Sequence, residues 1–257
     1  MQYDVAMIGG GPGGYVAAIR AAQLGAKVAL IEKGRLGGVC TNSGCIPSKT
    51  MIRIAEILSS IPFAEKFGIE IKTGKIDAAG LAAEREAIVK KLSNGIAALL
   101  QYNGVTTIFG TASLKPENEI VVKSSSGEQQ QVNATSTIIA TGSSTAMPEL
   151  FRKSRNCITG EEFLVSDRLP GSALIVGGGP EGVEASCMLI NMGCNVSVVE
   201  QLDHLLPFED KEISAMLEQK LKEQGVKVFT NAKVEALSDE SQSTKVKLSN
   251  GTTIAVD

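Results

Sequence analysis

One local pattern occurs twice in this chain, and it dictates most of the fold. Residues 3–32 read as a strand, the turn Gly9-Gly10-Gly11-Pro12-Gly13-Gly14, an alanine-rich helix to Leu24, a stop at Gly25, a strand Lys27–Ile31 and then Glu32. Residues 173–200 repeat that order: a strand Ala173–Val176, Gly177-Gly178-Gly179-Pro180-Glu181-Gly182, a helix to Met192, a stop at Gly193, a strand Asn195–Val199 and Glu200. In each copy 23 positions separate the first glycine from the glutamate. A single GxGxxG run is often no more than a glycine turn. Twice, each time between a strand and a helix and followed by an acid at the same interval, it predicts two βαβ units that hold dinucleotides.

The residue types follow from the chemistry. The first glycine (Gly9, Gly177) makes the turn, the second (Gly11, Gly179) lets backbone approach a pyrophosphate, and the third (Gly14, Gly182) lets the helix pack on the strand with its N-terminus toward the anion. Pro12, Gly13, Pro180 and Glu181 fill the rest of the two turns. The closing glutamate is expected on adenosine ribose hydroxyls. At Glu200 a carboxylate accepts from a 2′-OH and repels a 2′-phosphate, and the next cation is Lys211, so the second unit is expected to take NAD rather than NADP. The bland alternative is two such units with degenerate sites.

Five positions after Glu32 begins Gly37-Gly38-Val39-Cys40-Thr41-Asn42-Ser43-Gly44-Cys45-Ile46-Pro47-Ser48-Lys49. Pro47 suits a first helical turn, where its missing N–H is no loss. Met51, Ile54, Ala55, Leu58 and Ile61 then recur at helical spacing until Pro62, where the helix is expected to stop. Cys45 thus lies at a helix N-terminus, whose partial positive charge favours a thiolate, and is the candidate reactive thiol. Two thiols beside a bound dinucleotide suggest a redox disulfide. The alternatives are two buried small hydrophobes or half a zinc site; zinc is disfavoured by the lack of a second pair and by a chain with one histidine, His204.

Composition excludes other classes. A net charge of −3 with no basic cluster leaves nothing to neutralise a nucleic-acid backbone or hold an anionic membrane. No apolar run approaches the ~18 residues of a spanning helix, and the chain enters its first strand without a basic leader. It reads as cytoplasmic. In a reducing compartment a close-spaced cysteine pair is more readily catalytic than structural, which leaves Cys157, Cys187 and Cys194 as buried, inert thiols.

Between the copies, Leu81–Tyr102 carries a helical stripe closed by Asn103-Gly104, and Val105–Phe109, Ile120–Lys123, Gln131–Asn133 and Thr137–Ala140 read as short strands. After Glu200 come a helix Lys211–Gln224, a Gly225 stop, a strand Val226–Phe229 and a hairpin, Lys245–Leu248 with Thr253–Val256, around Asn250-Gly251. The boundary is placed near Met147-Pro148. The fold expected is α/β: two Rossmann-like dinucleotide-binding domains, 1–147 and 148–257, each with a β-meander, the second incomplete.

Gly9-x-Gly11-x-x-Gly14, the Cys40/Cys45 run with Lys49, Ile139-Ala140-Thr141-Gly142, and Gly177-x-Gly179-x-x-Gly182-Val183-Glu184 together resemble the flavin-dependent pyridine nucleotide-disulfide oxidoreductases over the whole chain. Within that family the Ile46-Pro47-Ser48-Lys49 ending is similar to the dihydrolipoamide dehydrogenase branch. Glutathione and mercuric reductases are similar in the same places, and Val39 and Thr41-Asn42-Ser43 depart from the usual dehydrogenase residues. The resemblance implies FAD in the first unit and NAD in the second, an order that also follows from the attachment of the cysteine pair to the first unit. It implies that Cys45 is the thiol against the flavin and Cys40 the interchange thiol. Lys49 and Glu184 would meet near the flavin. FAD would further be held by Glu32, Lys33, Gly38, Val39, Cys40, Ala112, Thr141, Gly142 and Ser143, and the NAD adenosine flanked by Val234.

Members of the family also have a C-terminal half, with a Gly-Asp strand returning to the flavin and a dimerisation domain carrying a His-Glu acid/base pair. These are absent from this sequence, and His204 is expected to be a loop residue. The expected partners are a small dithiol or lipoyl-domain substrate and, in the full-length form, a second copy. Two readings stand: a dithiol/disulfide oxidoreductase whose 257-residue stretch is inactive on dithiol alone, and a catalytically silent nucleotide-binding module.

Overall fold

The computed structural model describes residues 2–71, 76–116 and 119–257, which divide by their contacts into two units. The first comprises residues up to Pro47 together with Glu84–Ser144, and the second Ser48–Ala83 together with Thr145–Asp257. In this part of the chain the division falls at 144/145, and Ser48–Ala83 is grouped with the second unit rather than the first.

In chain order the first half has β1 (Gln2–Ile8), α1 (Pro12–Gln23), β2 (Val28–Glu32), α2 (Gly38–Asn42), α3 (Cys45–Glu65), α4 (Ala78–Tyr102), β3 (Thr106–Phe109), β4 (Thr111–Leu114), β5 (Glu119–Lys123) and β6 (Gln129–Ile139). The strands form one sheet in the order β3-β2-β1-β6-β5-β4, parallel from β3 through β6 and antiparallel from β6 through β4. Val28, Ala29, Leu30 and Ile31 are buried in an unbroken run, as a parallel strand covered on both faces requires. On one face Tyr3, Ala6, Ile31 and Ile108 form a core with residues of the meander. On the other, Met7, Val28 and Leu30 pack with Ala18 of α1 and with Ile96 and Leu100 of α4.

The second half has α5 (Glu149–Arg152), α6 (Gly160–Val165), β7 (Ser172–Val176), α7 (Pro180–Asn191), β8 (Asn195–Val199), α8 (Lys211–Glu223), β9 (Lys227–Phe229), β10 (Val234–Asp239), β11 (Thr244–Leu248) and β12 (Thr253–Val256). Here the parallel sheet, β7-β8-β9, and the antiparallel one, β10-β11-β12, are separate. The glycine stops are borne out: after α1, α4, α7 and α8 the chain turns through Gly25, Gly104, Gly193 and Gly225, each at positive φ. In each the next residue's N–H donates to the carbonyl five positions back, as Ala26 does to Ala21 at 3.1 Å and Val226 to Leu221 at 3.0 Å.

Several elements differ from expectation. α3 runs through Pro62 to Glu65, because a proline one turn from a helix end deletes only one of the remaining bonds. The two strands read at 131–133 and 137–140 are one long strand, β6, which pairs antiparallel with β5 through Gln129–Asn133 and parallel with β1 through Asn133–Ile139. The short helices α2, α5 and α6 and the strands β4 and β10 were not anticipated. Among the described residues no helix is long and apolar enough to cross a membrane.

Candidate functional site

The two glycine turns are superposable in their bonding. Gly9 N–H donates to Ile31 O at 2.8 Å and Gly177 N–H to Val199 O at 2.8 Å, so each first glycine, at φ 110° and 113°, caps the end of the neighbouring strand. A Cβ on Gly14 would lie 1.8 Å from Gly9 O, and one on Gly182 would lie 2.0 Å from Gly177 O. The third glycine is therefore where helix meets strand end. Gly11 and Gly179 are the N-caps, with no side-chain acceptor for the first-turn N–H groups and a proline following. A Cβ on Gly179 would meet nothing within 4 Å. An open face in front of uncapped helix N–H groups is the geometry that receives a diphosphate.

Both closing glutamates have a part in the protein itself that the sequence did not suggest. Glu32 accepts from Gly10 N–H at 2.6 Å and Gly34 N–H at 2.7 Å; Glu200 accepts from Gly178 N–H at 2.7 Å and Leu202 N–H at 2.8 Å. Each carboxylate thus ties the glycine turn to the chain leaving the second strand. About two of its four lone-pair directions remain for a ligand. The repeat extends further, since Leu36 lies against Gly10 and Leu205 against Gly178.

In the first unit β1 has β2 on one side and β6 on the other. The connections leaving β1 and β6 thus start at a topological switch point, where open α/β sheets bind ligands. Ala140 N–H donates to Ile8 O at 2.8 Å, and a Cβ on Gly9 would lie 2.1 Å from Ala140 O, so Thr141, Gly142 and Ser143 issue beside the Gly9–Gly14 turn. The cysteine loop arrives at the same place: Gly37 N–H donates to Gly10 O at 2.8 Å, and a Cβ on Gly38 would lie 2.7 Å from Gly11 Cα. Gly38, Val39 and Cys40 follow from there on α2, and Lys33 follows Glu32. By contrast, Ala112 on β4 packs against the cluster of Tyr3, Ile31 and Ile108, and Val234 opens β10 and packs with Val199, Ala232 and Leu248.

Cys40 is half-buried and Cys45, the first residue of α3, is exposed. Between them Asn42 Nδ2 donates to Gly38 O at 2.9 Å and Leu36 O at 3.1 Å, while its Oδ1 is buried without a partner. Of the other cysteines only Cys194 is buried; Cys157 and Cys187 are half-buried. Burial, and then the Glu184 charge, pushes the Cys187 thiol up, and burial with the Asp257 charge pushes Cys194 up to about 11. These two stay protonated and unreactive near neutrality.

Within the second unit, Glu184 on α7 accepts from Lys49 Nζ at 2.8 Å and from Ser48 Oγ at 2.8 Å. Partial burial alone would raise the Glu184 carboxyl, but the hydrogen bonds from Lys49 and Ser48 and the Lys49 charge outweigh it and hold it below its ordinary value. The pair expected from sequence is formed; the buried Ser48 is an addition. His204 lies in the loop after β8 and bonds Asp203. Among the described residues no group of three or more His, Cys, Asp or Glu could hold a metal ion.

Two glycine turns, a cysteine pair rooted on the first and a Lys-Glu pair against the second helix agree with what the family comparison finds over residues 3–257, a match to pyridine nucleotide-disulphide oxidoreductase. The chain belongs to this family. It is 39% identical over 246 residues to dihydrolipoyl dehydrogenase of Acholeplasma laidlawii, covering 93% of this chain and 71% of that protein. It is 41% identical over 242 residues to a dihydrolipoyl dehydrogenase of Bacillus subtilis, covering 91% of this chain and 51% of that one. The fold is similar to that of LpdA from Mycobacterium tuberculosis, with a TM-score of 0.90, 27% identity and coverage of 98% and 57%. It is also similar to RclA, an HOCl-induced flavoprotein disulfide reductase of Escherichia coli, with a TM-score of 0.86, 28% identity and coverage of 100% and 55%. The chain thus spans about half the length of most of these relatives.

Proposed function

We propose that this chain is the nucleotide-binding and dithiol-bearing part of a dihydrolipoamide dehydrogenase-type flavoenzyme, with FAD in the first unit and NAD in the second. The observation that carries the reading is the bond from Gly37 N–H to Gly10 O at 2.8 Å. It roots the cysteine loop on the first glycine turn, so the dinucleotide held there is the one that exchanges electrons with the thiols. Gly11, Gly13, Gly14, Glu32, Lys33, Gly38, Thr141, Gly142 and Ser143 are the residues that would hold FAD. Gly177, Gly179, Pro180, Glu181, Gly182 and Glu200 would hold NAD.

A substrate thiolate attacks Cys40 Sγ of the Cys40–Cys45 disulfide, and Cys45 leaves as thiolate. The second substrate sulfur then attacks the mixed disulfide, forming the substrate disulfide and releasing Cys40. The substrate has lost two electrons and two protons, and the protein pair has gained the electrons. FAD held at the Gly9–Gly14 turn would supply the two-electron relay between this pair and NAD. Lys49, on the helix that Cys45 begins, is held by Glu184, which also accepts from Ser48. The substrates are a small dithiol or a lipoyl domain, and the whole protein acts as a homodimer.

Purified protein tests this directly. Yellow protein with a flavin spectrum, NADH-driven reduction of an artificial acceptor, and oxidation of dihydrolipoamide in preference to reduction of glutathione disulfide would support the reading. Colourless protein that binds NADH without flavin would instead make the chain a nucleotide-binding module. The chain's single histidine, His204, belongs to the second unit, and the unit that bears the thiols contains none. The acceptor reaction should therefore greatly exceed dithiol turnover in the 257-residue chain.

A further inference from the structure

We propose that Asn42 is the positioning residue for the Cys40–Cys45 pair: its side-chain amide ends α2 and enforces the helix break that lets the two sulfurs meet. The proposal rests on the redox reading above. Five residues of unbroken α-helix advance about 7.5 Å along the axis, beyond the roughly 4.4–6.8 Å Cα separation of a disulfide. A pair at this spacing in a helical stretch can close only if the helix is interrupted between its members.

The interruption is there, and Asn42 stands at it. α2 ends at Asn42, Ser43 leaves the helical region at φ −141°, and a Cβ on Gly44 would sit 3.1 Å from Val39 O, so the chain folds back closely on the turn before it. The Asn42 amide reaches Gly38 O at 2.9 Å and Leu36 O at 3.1 Å. This binds the end of the turn to its own start and to the segment that packs on Gly10. An apolar side chain of similar size could fill the same space without leaving a buried acceptor, yet Asn42 Oδ1 has no donor. The amide hydrogen bonds, not the shape, account for an asparagine here.

Freed of these bonds, the loop gains conformations in the dithiol form that the disulfide form cannot share, and the disulfide becomes easier to reduce. The 257-residue chain is equilibrated with mixtures of reduced and oxidised glutathione, in which one glutathione disulfide oxidises the pair and yields two glutathione thiols. The mixtures are then trapped by alkylation and read by peptide mass. Asn42→Ala should shift the equilibrium about tenfold toward the dithiol, or about 30 mV. Asn42→Asp, which keeps the shape and loses the donors, should shift it the same way. Ser93→Ala removes a different hydrogen bond to the same Leu36 carbonyl, of 2.9 Å, and should leave it unchanged. Constants within twofold of wild type for both Asn42 variants, or an equal shift in Ser93→Ala, would overturn the positioning role. A wild-type chain that forms no Cys40–Cys45 disulfide at any ratio would overturn the redox reading itself, and the proposal with it.

Discussion

Lys49 Nζ and Glu184 Oε1 are 2.8 Å apart, although 135 positions separate them in the chain. Side-chain exposures of 61% and 40% place this with solvated ion pairs, worth about 0.2–1 kcal/mol. Because the folded Glu184 carboxyl lies below its ordinary value of 4.5, the contribution is fully present above that value and is lost as pH falls through the lower folded one. Lys49→Met should therefore destabilise by up to about 1 kcal/mol at pH 7 and by less at an acidic pH below the folded value of Glu184. Urea melts at the two pH values measure the difference, and a cost that grows on acidification contradicts the sign.

Glu200 has two tasks that substitution can separate. Glu200→Gln keeps one side-chain oxygen for the backbone N–H groups but removes the charge, so it should narrow a preference for NADH over NADPH at a modest stability cost. Glu200→Ala leaves Gly178 N–H and Leu202 N–H without their acceptor in a buried place and should cost about 1–3 kcal/mol. Coenzyme titrations and thermal melts report the two effects independently. Wild-type protein that binds NADPH as tightly as NADH would remove Glu200 from coenzyme choice.

What could be read from sequence was what the backbone itself demands. The turns at Gly9–Gly14 and Gly177–Gly182 were legible because a side chain at Gly14 or Gly182 has nowhere to go. The Lys49–Glu184 pair became legible only through family resemblance, since no local pattern joins residues so far apart. α2 was missed because five residues are too few to show a helical period, and β10 because Val234-Glu235-Ala236-Leu237-Ser238-Asp239 carries few strand-forming side chains. The join within β6 was hidden by Thr135-Ser136, polar residues that read as a break but lie just beyond Asn133, within the stretch that pairs with β1. The carboxylate-to-turn bonds of Glu32 and Glu200 carried no separate signal, because the residue expected for a ribose also serves the loop.

The two thiols should differ once flavin is bound. Two-electron reduction of flavin-loaded protein is expected to give a long-wavelength charge-transfer band, retained in Cys40→Ser and lost in Cys45→Ser. In the proposed assignment Cys45, at the head of α3, is the thiol against the flavin and Cys40 the interchange thiol. Equal loss of the band in both variants would reverse or void the assignment of roles.

The glycine turn of the second unit lets folding and binding be pulled apart. A methyl group on Gly182 would lie 2.0 Å from Gly177 O, a backbone atom held by the strand end, so Gly182→Ala must push helix from strand. It should destabilise by about 1–3 kcal/mol, as overpacking does. Gly179 has an ordinary φ of −73°, and a methyl group there meets nothing within 4 Å. Gly179→Ala should therefore leave the melting temperature within about 1 °C of wild type, because no native contact changes. If a diphosphate lies over that residue, the same methyl group occupies its space, and NADH affinity should fall by about tenfold or more, since close approach of backbone to phosphate is what the second glycine permits. Calorimetric titration with NADH beside a thermal melt decides the point: a Gly179→Ala protein that binds NADH like wild type means the dinucleotide does not cross the N-terminus of α7.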